Sequence, residues 1–157
     1  MGASDFILNG RAVHYEGPLS ARALDVLRET YGLTGVKCGC REGECGACSI
    51  LLDGKLTNSC MLAMGRLDGC EVVTIEGFSR TEEFQVLSAA YSDEGAVQCG
   101  YCTPGMVLAS YCILKNNPNP TEEEIKRGIS GNLCRCTGYE AIKRAIRLAA
   151  ERGKGLW

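Results

Sequence analysis

The chain has 157 residues, 45% of them hydrophobic, and 17 Lys+Arg against 19 Asp+Glu give a formal net charge of −2; that is material for one large or two small packed domains. The near balance of charge lacks the basic footprint of a nucleic-acid or polybasic membrane binder, and no apolar run approaches the ~18 residues of a membrane span, so neither nucleic acid nor membrane is an expected partner. Met1-Gly2-Ala3-Ser4-Asp5 has neither the basic start nor the apolar run of a secretory signal, and the chain reads as soluble and cytoplasmic.

In chain order, Phe6-Ile7-Leu8 and Ala12-Val13-His14-Tyr15 flank Asn9-Gly10, a dipeptide suited to the positive φ values of a tight hairpin. Ser20 can cap a helix with Ala23, Leu24, Val26, Leu27 and Tyr31 roughly on one face, and Gly32 can stop it. Ser49 to Leu52 and Lys55-Leu56 flank Asp53-Gly54, a second hairpin signal, and Glu71 to Ile75 reads as a last strand. Residues 77–84 carry little apolar periodicity and look like a connection. Beyond them the pattern turns helical: about Glu83 to Ser92, a segment opened by Thr103-Pro104 and apolar through Leu114, and two starts marked by the capping-box patterns Thr121 to Glu124 and Thr137 to Glu140. The expected organisation is a mixed sheet with a helix across it in residues 1–76, then four helices in a small bundle in residues 77–157. Charge divides too: residues 1–120 hold 9 basic and 14 acidic side chains and residues 121–157 hold 8 and 5. A solvated helix face or an acidic partner surface would account for that tail.

The informative count is 11 cysteines, an odd number that cannot all pair within the chain; in a reducing compartment such thiols are usually held by metal. Cys40, Cys45 and Cys48 have the C-x4-C-x2-C spacing associated with plant-type [2Fe–2S] centres, and Cys60 is the nearest candidate for the fourth ligand. A loop that wraps a cluster needs tight turns and close backbone approach, which Gly39, Gly43 and Gly46 allow. Zinc is the plainer alternative, although its structural sites prefer gaps of two to four residues and need no glycine-rich wrap. Cys99 and Cys102, with Cys134 and Cys136 farther on, form a C-x2-C and a distant pair whose spacing suits zinc as well as iron–sulfur. Cys38, Cys70 and Cys112 are taken as non-ligands, Cys112 as a small core residue of its apolar helix. His14 falls in a hairpin strand and reads as structural. No paired catalytic carboxylates, dinucleotide fingerprint or P-loop stands out.

Three segments, Val36 to Ile50, Gly95 to Met106 and Ser130 to Tyr139, resemble in order the signatures of the iron–sulfur subunit of molybdenum hydroxylases, the xanthine dehydrogenase family, and the likeness runs from about Asp5 to about Glu151. The resemblance implies an α+β chain with an N-terminal β-grasp, ferredoxin-like domain holding one [2Fe–2S] cluster through Cys40, Cys45, Cys48 and Cys60. It further implies a C-terminal four-helix domain holding a second through Cys99, Cys102, Cys134 and Cys136. In that family the second cluster lies beside the molybdopterin of a large partner subunit, so Gln98 would face the pterin and Cys136 would be the ligand nearest to it. Electrons would pass from the molybdenum centre through both clusters to FAD on a medium subunit, or to an external acceptor. A stand-alone ferredoxin serving several partners is the alternative. If a partner covers the second cluster, the strips Cys99 to Met106 and Cys134 to Tyr139 should expose apolar surface, with Tyr101, Met106 and Tyr139 as candidate contacts or, equally, as core. Ser49 stands where the family more usually has Thr, and Cys38 where it tolerates many residues.

Overall fold

The structure, a computed structural model, describes residues 2–157. Along the first strand Ser4, Phe6 and Leu8 are buried while Ala3, Asp5 and Ile7 are exposed, the alternation of a sheet with one covered face. This strand, β1 (Gly2–Leu8), turns through Asn9 and Gly10 at φ 51° and 79° and returns as β2 (Arg11–Gly17) with Phe6 opposite Val13, the hairpin that the dipeptide predicts. His14 sits opposite Asp5 on the exposed face, its Nδ1 2.7 Å from Asp5 Oδ1, as a cross-strand pair. Helix α1 (Ala23–Glu29) lays Ala23, Leu24, Val26 and Leu27 on the sheet. Ser20 is not its cap. Arg22 holds that position, and the first-turn donor of Ala23 is satisfied by Leu62 O at 2.8 Å, so a passing backbone segment does what a capping side chain would have done. Gly32, at φ 67°, follows the helix end as expected.

Strands β3 (Ser49–Leu52) and β4 (Lys55–Asn58) form the second hairpin, and β5 (Glu71–Val73) lies between β1, to which it is parallel, and β3, giving the order β2-β1-β5-β3-β4. The last strand stops earlier than the expected Ile75. Asn9 Oδ1 accepts from Thr74 N at 2.8 Å and Asn9 Nδ2 donates to Thr74 Oγ1 at 3.0 Å, so a hairpin side chain replaces the ladder and Ile75 opens the short α2 (Ile75–Phe78). Residues 77–84 are therefore more than a connection: Phe78 is buried, its ring 4.8 Å from that of Tyr111 and 6.1 Å from that of Phe84.

Four helices follow: α3 (Glu82–Asp93), α4 (Thr103–Asn116), α5 (Glu122–Ile129) and α6 (Glu140–Arg152). Thr121 and Glu124 close a full capping box, Glu124 N donating to Thr121 Oγ1 and Thr121 N to Glu124 Oε2. The other two expected caps are not used. Thr103 is already helical, with Cys102 at the cap position, and Tyr139, at φ 69°, precedes α6. The Thr137 hydroxyl is occupied instead by Tyr139 N at 3.2 Å and Cys134 Sγ at 3.1 Å, while Glu140 pairs with Lys143 at 2.6 Å.

Two cores result, and β3 belongs to both: Ile50 and Leu52 pack with Phe6, Leu24 and Val72, whereas Leu51 packs with the helices around Met106, Leu108 and Ile146. All four residues of β3 are consequently buried, which explains a continuous apolar run where a one-sided strand would alternate. Among the described residues no helix is long and apolar enough to cross a membrane.

Much of the basic tail is paired within the fold. Lys143 and Arg147 meet Glu122, Arg144 meets Glu94 and Arg152 meets Asp93, which favours the solvated-face explanation of its charge. Hydrogen bonds from Lys143, Arg147 and Lys126, in that order, hold the Glu122 carboxyl down from its ordinary 4.5 to about 2. Because the folded value is the depressed one, its contribution is present above pH 4.5 and is lost as pH falls toward 2. Glu122→Gln should therefore flatten the fall in urea midpoint across that window; a midpoint falling as steeply as in the parent would contradict the assignment.

Candidate iron–sulfur centres

The loop between α1 and β3 carries Cys40, Cys45 and Cys48, and Cys60 arrives on the 3-10 turn Ser59–Met61 just after β4. The loop wraps a sulfur rather than a core. The backbone N–H groups of Glu42, Glu44 and Cys45 donate to Cys40 Sγ at 3.3, 3.3 and 3.4 Å, and Cys40 N donates to Cys45 Sγ at 3.3 Å. Those donors, Glu42 N first, bring the Cys40 thiol down to about 7, which favours its negative form. Gly39 lies so close that an added Cβ would stand 2.6 Å from Cys45 Sγ, and Gly43 takes φ 81°. Cys48 and Cys60 are buried, and burial followed by the neighbouring Cys48 raises the Cys60 thiol to about 11. Cys60, the candidate fourth ligand, thus lies near Cys48 and within electrostatic range of Cys40.

The second group is likewise brought together from two segments. Cys99 and Cys102 lie at the N-terminal end of α4, and Cys134 and Cys136 on the loop between α5 and α6. Cys102 neighbours Cys134, and Cys136 neighbours Cys99, closely enough that each acts on the other's thiol. Burial, then Cys134, pushes Cys102 up to about 12, so desolvation outweighs the helix N-terminus beside it. At Cys134 burial acts upward, but hydrogen bonds led by the Thr137 hydroxyl and backbone outweigh it and the thiol is lowered. Cys99 and Cys136 are exposed.

Among the described residues no three Cys, His, Asp or Glu side chains are arranged to hold a single ion. A binuclear cluster takes two thiolates at each of its irons, and this donor set of soft sulfur, amide-solvated in the first group, fits it. The remaining cysteines stand apart. Cys38 accepts from Arg41 Nε at 3.2 Å, Cys70 is buried and accepts from Arg66 at 3.3 Å, and Cys112 is half-buried in the helical core with its thiol raised by burial.

The two groups meet along a seam. Cys45 O accepts from Leu133 N at 2.9 Å, Asn132 Nδ2 donates to Gly46 O at 3.0 Å, and the Tyr101 hydroxyl donates to Cys38 O at 2.8 Å. Packing there leaves no room for a methyl: a Cβ on Gly46 would stand 2.5 Å from Asn132 Nδ2 and collide with Gly131 O, and one on Gly105 would collide with Gly46 O. Spacing alone gives no sign of this seam, since Asn132 and Tyr101 are merely residues between cysteines. In the segments that carry the exposed Cys99 and Cys136, the apolar Val97, Tyr101 and Leu133 are 45%, 50% and 55% exposed, with the polar Gln98 and Arg135 exposed beside them. Of the three contacts expected in these strips, Tyr101 is exposed, Tyr139 is half-buried with its hydroxyl accepting from Cys134 N, and Met106 is core; Val97 and Leu133 are the other exposed apolar residues instead.

Residues 6–72 match the family described as a 2Fe-2S iron-sulfur cluster binding domain, and residues 74–147 match the [2Fe-2S] binding domain family. The nicotinate dehydrogenase small FeS subunit of Eubacterium barkeri is 48% identical over 145 residues, covering 92% of each chain. The xanthine dehydrogenase iron-sulfur-binding subunit of Escherichia coli is 45% identical over 124 residues, 78% of this chain and 77% of that one. Among solved structures, a chain of quinoline 2-oxidoreductase from Pseudomonas putida 86 superposes with a TM-score of 0.91 at 39% identity, covering 98% of this chain and 96% of that one.

Proposed function

The chain belongs to the family of iron–sulfur subunits of xanthine- and nicotinate-dehydrogenase-type oxidoreductases, with two [2Fe–2S]-binding domains, and from that premise we propose that it is the electron-transfer subunit of a molybdenum hydroxylase. In this reading residues 1–76, a β-grasp domain, hold one cluster through Cys40, Cys45, Cys48 and Cys60, and residues 77–157, a four-helix domain, hold the other through Cys99, Cys102, Cys134 and Cys136. When bound, a cluster ligated by four thiolates supplies one-electron transfer and offers substrate no open position, which suits the chain to relay between a molybdopterin-bearing large subunit and an FAD-bearing subunit or external acceptor.

The chain's own residues prepare both sites. Amide donors on Cys40 Sγ stabilise negative sulfur, and the buried Cys48 and Cys60 keep water from one side of the first site. One observation carries the relay reading: the hydrogen bond from Leu133 N to Cys45 O ties a residue of the first group to the neighbour of Cys134 in the second. The exposed Val97, Tyr101 and Leu133, in the segments that carry Cys99 and Cys136, support a covering partner over a free-standing ferredoxin, because such apolar surface is normally buried in an interface. On this side Gln98 would face the pterin and Cys136 would be the ligand closest to it. Anaerobic purification at native expression levels tests the reading: a large molybdenum-containing chain should copurify and protect residues 97–101 and 133–136 from hydrogen exchange. A monomer carrying both clusters, with these segments unprotected, would contradict it in favour of the stand-alone ferredoxin.

A further inference from the structure

The seam between the two cysteine groups is fixed by a residue that touches no cysteine sulfur. Asn132 is 3% exposed and stands three residues past the end of α5, its own N–H donating to Ile129 O at 2.9 Å, so its backbone is held by the helical half. Its side chain crosses into the other half, where Nδ2 donates to Gly46 O at 3.0 Å and to Ser49 Oγ at 3.3 Å. Both acceptors flank Cys48 in sequence, and Gly46 follows Cys45. Ser49 Oγ donates in turn to Gly46 O at 2.7 Å, so the carboxamide completes a closed set of buried polar groups rather than lying against a surface.

We infer that Asn132 is a positioning residue for electron passage between the two centres: by spending both amide protons on Gly46 O and Ser49 Oγ it holds the Gly46–Ala47 peptide, and this fixes the adjoining Cys45–Gly46 peptide, whose Cys45 O faces Leu133 N. This rests on the two-cluster reading above. Geometry makes the amide specific. Gly46 O keeps Ser49 N and Ser49 Oγ as donors without Asn132, so nothing is left unsatisfied in the first loop when the side chain is truncated; what is lost is the side-chain link from the residue preceding Leu133. An Asp at 132 has the same shape but offers only acceptors, turning the crossing contact with Gly46 O from attraction to repulsion. Gly46 and Gly105 provide the close approach that lets so short a side chain reach.

The test uses the cluster-loaded full chain with Asn132→Asp, Asn132→Ala and the milder Ser49→Ala, which removes one acceptor and leaves Asn132 in place. Two quantities are read: the rate at which an electron delivered by pulsed reduction redistributes between the two centres, and hydrogen exchange at the Leu133 amide by mass spectrometry. Expected are exchange at Leu133 faster by about tenfold in Asn132→Ala, the size of one lost buried hydrogen bond, and slower redistribution in the order Ser49→Ala, Asn132→Ala, Asn132→Asp. The midpoint potentials and EPR spectra of the individual centres should stay as in the parent, which a general loss of structure would not permit. Parent-like redistribution and parent-like Leu133 protection in the alanine variants would overturn the role of Asn132. A parent chain without two reducible centres would overturn the two-cluster reading itself.

Discussion

Cys60→Ala is expected to strip the first centre and spare the second, lowering iron from about four to about two atoms per chain and removing one of two EPR signals on reduction. The mirror experiment, Cys134→Ala, should remove the other signal. The reasoning is geometric. Cys60 is the one member of its group that comes from outside the loop, delivered by the turn after β4, and it is buried, with the Gly43 backbone offsetting only part of the cost of charging it. Its thiol, raised to about 11 by burial and Cys48, ionises at neutral pH only if a metal takes the charge. The nearest spare thiol to the first loop in sequence, Cys38, is engaged by Arg41, which is in turn paired with Asp25. Cys38→Ser, Cys70→Ser and Cys112→Ser should accordingly leave iron content and both signals unchanged. Loss of iron from any of these three equal to that from Cys60→Ala would refute the ligand assignment.

The second large effect concerns Gly46, where the two halves press most closely together. Gly46→Ala places a methyl on a residue at φ 66° and drives it into Gly131 O and Asn132 Nδ2, neither of which can rotate away, because one is backbone and the other is tethered on both sides of the seam. A left-handed alanine costs about 1–2 kcal/mol and overpacking about 1–3, so the substitution should destabilise the loaded chain by roughly 2–5 kcal/mol. Gly54→Ala is the control. At φ 75° it carries the same backbone strain but has nothing within 4 Å of its Cβ, so it should cost only about 1–2 kcal/mol. Chemical denaturation of both variants under anaerobic conditions reads the difference; equal midpoint shifts would mean that the seam is looser than described.

What the sequence discloses and what it withholds divide along a physical line. Asn9-Gly10, Asp53-Gly54 and the capping box at Thr121 are local devices: each needs only its own few residues, and each is found as read. The eight cysteines proposed as ligands are singled out for a related reason, since two short spacings and a glycine-rich loop constrain where most of that sulfur can stand, although Cys60 is added only as the nearest candidate and the grouping of Cys99 and Cys102 with Cys134 and Cys136 gains its meaning from the resemblance rather than from spacing. The misreadings arise where a distant group competes for a local one. Leu62 O takes a first-turn donor of the helix that Ser20 was expected to cap, Asn9 ends β5 before Ile75, and the Thr137 hydroxyl turns to Cys134 Sγ instead of starting α6. Asn132 is the extreme case: its partners, Gly46 and Ser49, are more than eighty residues away in the chain, and no periodicity or spacing marks a residue whose work is done entirely across such a gap.

The same reasoning explains the mixed character of β3. Its run Ser49-Ile50-Leu51-Leu52 has no alternation to read, because Leu51 faces the helices while Ile50 and Leu52 face the sheet's own core. Sharing one strand gives the cysteine-bearing halves a common rigid element directly after Cys48, and the seam at Gly46 lies just before the start of that element. A relay of electrons benefits from such an arrangement, since its two stations are held by packing rather than by a flexible linker.

Iron and acid-labile sulfide determination on the anaerobically isolated parent chain, combined with EPR during stepwise reduction, examines the central claim most directly. About four irons and four sulfides per chain with two distinct reducible signals are expected; a colourless chain holding zinc, or a single signal with about two irons, would contradict it.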